Sequence, residues 1–398
     1  MNRINRGSMS AGQRVGDLAV QIGPGEALDH FRPELPSLSE AARYYALSED
    51  ARVYGDGGPC VERLSARLGD YVGAGACVPV ASGTLGLVVA LVEATDGDRR
   101  RRLVATSAYA PPSVACAIRA AQREPLFVDV DPESWQLDPD ALERALHTCR
   151  GEVACVMAGS VFGSAAPADT RARWREIARA HRIGLVIDSS AGFGAVDDQG
   201  RRLGGQGDTE VFSFDATRPF AIGEGGAICV ADPDRAARLE QIAACGVDPD
   251  SAVALMAGIN ARLSELGAAM GLAMLDRYDD VLARRRGTAA QLRAVLADHP
   301  LTYQQGSEGS TWPVYQVLAD GPPARERALR IAGELRIDVR TCFDPPLHRH
   351  PAFAAAPCVT RLPVTEELAA RSLTLPLANG LGPRQVLRLA ELGELAFS

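Results

Sequence analysis

Three short stretches of this 398-residue chain carry residues able to do chemistry, each where a strand-like run gives way to a helix or loop. Open α/β sheets bind their ligands at such strand ends. The first stretch is Ala81-Ser82-Gly83-Thr84. Gly83 permits close backbone approach and Thr84 adds a hydroxyl, so the free N–H groups of a following helix could hold a phosphate. Small residues at such a turn also serve close packing alone. The second stretch, Gly184 to Ala195, sets Asp188 at the end of an apolar run, where an unpaired carboxylate is costly. Asp188 therefore meets a cation or a protonated nitrogen, or else caps a turn or helix. The third runs from Val211 to Ala227 and holds Ser213, Asp215, Arg218 and the turn Gly223-Glu224-Gly225-Gly226. Glu224 is expected to bond nearby backbone groups.

His348-Arg349-His350 would turn both imidazoles to one side of a strand, but no third Cys or His follows at metal-site spacing, so no metal is expected. All 42 residues counted as Lys plus Arg are arginine. With no lysine, no side chain of this protein can form a Schiff base with a carbonyl compound.

The elements that must position these residues follow from periodicity. Val61, Leu64, Leu68 and Val72 have helical spacing. Apolar runs recur at Cys77–Ala81, Leu103–Ala105, Pro125–Val130, Val153–Met157, Gly184–Ile187, Glu210–Phe214 and Ala227–Val230. Helical stretches such as Pro139–Leu146 and Arg171–Ala180 separate most of them. Buried strands alternating with helices predict a largely parallel sheet covered on both faces. One long helix is expected from Leu263 to Leu292, with Leu266, Met270, Met274 and Tyr278 as a core or dimer stripe. A strand (Trp312–Leu318), a helix (Pro323–Leu335), a Pro-rich stretch (Asp344–Pro357) and a last helix (Pro383–Leu395) then form a smaller α/β lobe. The expected organisation is an N-terminal arm (1–36), a large domain (37–285) and a small C-terminal domain (286–398), joined through a helix.

A hydrophobic fraction of 46% with 23% charged residues suits a globular core. The net charge of -8 argues against a general nucleic-acid binder. The runs Arg99–Arg102 and Arg284–Arg286 read as solvated surface. The first fifteen residues lack the apolar segment of a secretory signal. The longest apolar run, Leu85–Val92, is far short of the ~20 residues of a membrane span, so a cytoplasmic protein is expected. The nine cysteines are odd in number and form no C-x-x-C pair, which predicts reduced, mostly buried thiols.

In order and spacing, the stretches GDGGPCVERLSARLGDYVG, ASGTLGL, PLFVDVDPESWQLDP, IDSSAGFGA, FSFDATRPFAIGEGGA, GINARLSE, LHRHPAF and LTLPLANGL resemble the DegT/DnrJ/StrS-like sugar aminotransferases, from about Gly55 to the C-terminus. The resemblance implies an aspartate-aminotransferase-like fold type I: a three-layer α/β/α large domain with a mainly parallel sheet, plus a smaller C-terminal α/β domain. It also implies pyridoxal phosphate as cofactor. Gly83, Thr84 and Ser213 would hold its phosphate, and Asp188 would pair with its ring nitrogen, the contact that makes the ring an electron sink. Asn260 would reach the phosphate of the other subunit in a homodimer. Tyr109 or Ala110 stands where the family stacks an aromatic residue on the ring, and His348 lies in a stretch near the substrate mouth. Family substrates are nucleotide sugars or cyclitols.

The chain departs from the family pattern F-S-F-x-x-T-K at its last position, which is Arg218. Arginine has no free base with which to link the cofactor or shuttle a proton. Ala191 also replaces a usual Gln or His. The resemblance then leaves three readings. The chain holds pyridoxal or pyridoxamine phosphate non-covalently, with Asp215, Tyr109 or His348 as the base. Or it works without cofactor, Arg218 clamping an anionic substrate and pairing with Asp188. Or it is a non-catalytic partner of an active aminotransferase.

Overall fold

The computed structural model describes residues 27–397 apart from 56, 99, 249, 359 and 360, so residues 1–26 of the expected arm and Arg99 lie outside the described residues. Helices α1 (Leu38–Ala51) and α2 (Pro59–Val72) lead into β1 (Ala76–Val80), α3 (Gly83–Ala94), β2 (Leu103–Ser107), α4 (Pro112–Ala120) and β3 (Glu124–Val128). Then come α5 (Pro139–Thr148), β4 (Val153–Gly159), α6 (Ala168–His181), β5 (Gly184–Asp188), β6 (Thr209–Ser213), β7 (Gly226–Val230) and α7 (Pro233–Ala243). All seven apolar runs are strands of one mixed sheet, ordered β1-β7-β6-β5-β4-β2-β3. β7 runs antiparallel to β1 and β6, and the other pairs are parallel.

Alternate residues of these strands feed opposite faces, as the two-residue period of a strand requires. On β7, Ala227 and Cys229 join a core with Leu64 and Leu68 of α2, while Ile228 and Val230 meet Leu87 and Leu91 of α3. A third core sets Leu142 of α5 and Trp174 of α6 against β2 to β5. Helices therefore cover both faces, and the α/β/α expectation holds.

The expected single helix over 263–292 is two: α8 (Glu265–Leu275) and α9 (Tyr278–Val295). The break at Asp276 and Arg277 is held from outside, because the Asp276 carboxylate accepts hydrogen bonds from Arg43, Tyr44 and Arg67. Met270, Met274 and Tyr278 of the stripe are buried, but Leu266 is exposed. The first half of α9 packs Val281 and Leu282 into the large lobe, and its second half gives Ala289 and Leu292 to the small one. The small lobe adds β8 (Tyr315–Leu318), α10 (Pro322–Glu334), α11 (Pro363–Arg371), β9 (Ser372–Leu375) and α12 (Pro383–Phe397), with β8 and β9 antiparallel. β8 starts later than the expected Trp312, whose φ of 52° is not that of a strand.

Two further expectations are corrected. Cys77 and Cys229 stand opposite in the β1–β7 register and form a disulfide. Of the free thiols only Cys60 and Cys155 are buried, while Cys116, Cys245 and Cys358 are exposed. In the Arg284–Arg286 run, Arg285 is buried rather than solvated: its guanidinium donates to the carbonyls of Trp312, Pro313 and Leu377 and to Asn379. It thereby ties α9 to two segments of the small lobe.

Candidate active site

The strands β4 and β5, the loop after β6, the arm and the small lobe meet around a cavity of about 140 Å³. Asp188, Tyr109, Ala110, Ala191 and Arg218 line it, with Phe31 of the arm and Pro313 and Phe343 of the small lobe. It is smaller than the several hundred Å³ usual for a whole drug-sized ligand, so it suits the reacting end of a ligand. A cleft of about 1010 Å³ between α2, β1 and α7 has none of the expected site residues in its walls. The charged groups Asp188 and Arg218 converge on the smaller cavity.

Asp188 ends β5 and is buried. Its Oδ1 accepts hydrogen bonds from the Ser190 N–H at 3.0 Å and from the Ser190 hydroxyl; among the described residues nothing donates to its other oxygen. Burial pushes the carboxyl above the usual aspartate range, against the pull of Ser190 and of the Arg218 charge. The strand end is fixed from behind. Ser189 donates its proton to Glu210 and accepts from the Ser160 hydroxyl at 2.9 Å, and Glu210 also accepts from Arg171 at 2.6 Å and from the Gly204 N–H at 2.6 Å. Sequence reasoning missed this anchor; its one signal was a Glu inside an apolar run.

Arg218 sits in the loop that returns from β6 to β7. The Asp215 carboxylate accepts from the Thr217 N–H at 2.9 Å and from its hydroxyl, and the Arg218 N–H donates to the Asp215 carbonyl at 2.9 Å. Asp215 thus shapes the turn that presents Arg218 and is not in the cavity wall. The guanidinium of Arg218 makes no ion pair among the described residues, with Asp188 or any other carboxylate, and its Nε is buried without a partner.

Tyr109 is fully buried and donates its hydroxyl to the Cys342 carbonyl at 3.3 Å. Burial pushes its phenol far up, so it stays protonated. Phe162 and Phe343 stack at 5.3 Å, and Tyr109 packs edge-on against both. These two phenylalanines, far apart in sequence, carried no local signal. His348 stands outside the cavity wall, with Nε2 2.7 Å from Glu366 Oε1; the Nε2 of His350 lies 2.9 Å from the Pro345 carbonyl.

The other expected group lies at the start of α3. Ser82 caps the helix by accepting from the Leu85 N–H at 3.2 Å, and Thr84 is exposed beside the first amides, which have no intrahelical acceptor. A Cβ on Gly83 would stand 2.5 Å from the Ser213 Cβ, and one on Gly226 would stand 3.0 Å from the Gly83 nitrogen. Both glycines are therefore required for β6, β7 and α3 to close on one another. Asn260 is exposed, accepts from Arg262 at 3.4 Å and does not reach this group within the chain. Glu224 is exposed and makes none of the expected backbone bonds among the described residues.

The model of the DegT/DnrJ/EryC1/StrS aminotransferase family matches residues 40–392. The chain belongs to this family. Protein Rv3402c of Mycobacterium tuberculosis is 30% identical over 382 residues, 94% of this chain and 92% of the relative. The L-glutamine:2-deoxy-scyllo-inosose aminotransferase of Streptoalloteichus tenebrarius is 30% identical over 361 residues, 81% of this chain and 82% of the relative. Among solved structures, DesI in the presence of its TDP-sugar product is similar with a TM-score of 0.83 at 29% identity, covering 92% of each chain. Family homologues depend on pyridoxal phosphate. Two features of this chain fit such a group: a buried carboxylate with one oxygen lacking a donor, and a glycine-walled helix start. A lysine amine to link it is absent from the sequence.

Among the described residues, no helix is long and apolar enough to cross a membrane.

Proposed function

We propose that this protein is an aminotransferase-fold enzyme of secondary-metabolite or deoxysugar biosynthesis that holds pyridoxal or pyridoxamine phosphate without a covalent link, Arg218 standing at the position of the family lysine. The observation that carries this is Asp188: buried, raised in pKa and without a donor on its second oxygen. A protonated ring nitrogen would supply that donor and offset the cost of burying the charge. Gly83, Thr84 and Ser213 would hold the phosphate, joined by Asn260 of a second copy in a homodimer. When bound, the cofactor supplies an electron sink. Ordinary transamination is not expected, because Arg218 cannot take and return a proton at the reacting carbon. Asp215 is committed to its turn and Tyr109 stays protonated; His348, paired with Glu366, lies outside the cavity wall and would serve as base only for a substrate that extends beyond it. The substrate is a small molecule, in keeping with the ring-shaped compounds named for the relatives.

Titration of the purified protein with either cofactor should produce near-ultraviolet or violet absorbance that survives gel filtration. Asp188→Asn should weaken retention about tenfold or more, as for a lost charge-assisted hydrogen bond. A spectrum that is only the sum of its parts at saturating cofactor contradicts the proposal. The unpartnered Nε of Arg218 favours a second reading, in which no cofactor binds and Arg218 clamps an anionic substrate. In that case cofactor would leave the spectrum unchanged while Arg218→Met abolished substrate binding.

A further inference from the structure

Asp188 and Ser190 stand in the cavity wall two residues apart, at the end of β5. One carboxylate oxygen, Oδ1, takes both donors of Ser190, its N–H at 3.0 Å and its hydroxyl, while among the described residues nothing donates to Oδ2. The same pattern recurs at Asp215, which accepts from the N–H and hydroxyl of Thr217, but Asp215 lies outside the wall and its bonds serve the turn. It is the placement at Asp188, not the pattern, that adds a use beyond shape. Ser190 is itself fixed: its carbonyl accepts from the Ser213 N–H at 3.1 Å, and Ser189 before it donates its N–H to the Val211 carbonyl at 2.9 Å. Both ties run to β6, so the hydroxyl meets the carboxylate from a rigid frame. A hydroxyl bond to a carboxylate favours the ionised form, whereas burial favours the neutral acid. The charged and titratable groups around Asp188 are few. Arg218 acts on it from the loop after β6; Tyr109 and Cys342, also in the wall, are pushed up by burial and stay neutral; Glu210 and Arg171 lie behind the strand end and pair with each other.

We propose that Ser190 is a positioning residue of this site: its hydroxyl keeps the Asp188 carboxylate ionised and leaves Oδ2 as the single acceptor for a protonated nitrogen in the cavity. This rests on the reading that the cavity takes the cofactor ring. Without the hydroxyl, Asp188 takes up a proton more readily, and a neutral acid is a poor acceptor for a cationic N–H. The loss of ligand is then confined to the acid side and vanishes where pH ionises the carboxyl again.

Two readouts on the full chain test this: thermal melts across pH without cofactor, and retention of pyridoxal phosphate across the same range, read by absorbance after gel filtration. Because Asp188 is raised on folding, wild-type stability falls as pH climbs from the ordinary aspartate range through the raised value. Ser190→Ala should carry the upper end of that decline about one pH unit higher, the size of a lost charge-assisted hydrogen bond. It should move the acid limb of cofactor retention upward by the same amount. Ser190→Thr, which keeps a hydroxyl, should return both limbs to the wild-type position, and Asp188→Asn should lose retention at every pH. Melts of Ser190→Ala that match wild type overturn the proposal, as does a loss of retention equal at all pH values, since Ser190 would then only shape the turn. If wild type retains cofactor and neither limb moves, this inference falls alone. If wild type retains none, the cofactor reading falls and the melts alone decide this one.

Discussion

Two arginines flank the end of β5 and live under opposite conditions. Arg171 is 1% exposed, and every arm of its guanidinium is engaged: Nε donates to Asp208 at 2.7 Å, and both terminal nitrogens donate to Glu210. Arg218, across the strand end, is half-buried, faces the cavity and has no carboxylate partner among the described residues. The first charge is saturated and fixes a strand. The second is left with unused valence, which a protein tolerates where a ligand completes it. The same contrast holds for the acids. Asp208, beside Arg171 and Arg175, titrates below the usual aspartate range because those cations outweigh the effect of burial, whereas burial holds Asp188 above it.

The largest expected effect comes from breaking the saturated side. Arg171→Met leaves the buried Glu210 carboxylate without its cation, while Asp208 keeps Arg175, and losing one partner of such a network costs about 3–5 kcal/mol. Urea denaturation should show that loss; a change within about 1 kcal/mol would mean the network is not structural.

The two aspartates should give pH effects of opposite sign. A carboxyl with a lowered folded pKa adds stability above its unfolded pKa, and that stability is lost as pH falls through the folded value. Asp208→Asn should therefore flatten the acid side of the stability profile. A carboxyl raised on folding does the reverse: the folded state binds more protons, so stability falls as pH climbs from the ordinary aspartate range through the raised value. Asp188→Asn should remove that decline. Thermal melts of both variants across the acid range would check the pair, and the same sign for both would refute the contrast. The smallest effect is expected at Arg218, where Arg218→Met removes an unpaired charge and should change unfolding free energy by less than about 1 kcal/mol. A loss as large as that of Arg171→Met would assign Arg218 a structural role.

The seven strands of the main sheet were legible because strands covered on both faces read as short apolar runs between helical spacers. The break at Asp276 was not, because its cause lies in Arg43, Tyr44 and Arg67, distant in the chain. The Cys77–Cys229 pairing was hidden for the same reason, since it depends on the register of β1 against β7. Within the site, Asp188 could be found because it ends an apolar strand, whereas Tyr109 and the role of Arg218 were marked only by the family pattern; all three line one cavity. Phe162 and Phe343 could not, because their contact exists only once the small lobe closes on the sheet. The role of Glu210 was hidden because its partner, Arg171, lies on a distant helix.

Whether a cofactor is held here without a bond to the chain can be decided chemically. Pyridoxal phosphate can be added to the protein, the mixture reduced with borohydride, and the peptides spanning residue 218 weighed beside those of Arg218→Lys treated alike. The expected result is cofactor absorbance in both proteins before reduction, with pyridoxyl mass on residue 218 only in the variant. A covalent adduct on any residue of the wild-type cavity, or no cofactor bound to either protein, would contradict it.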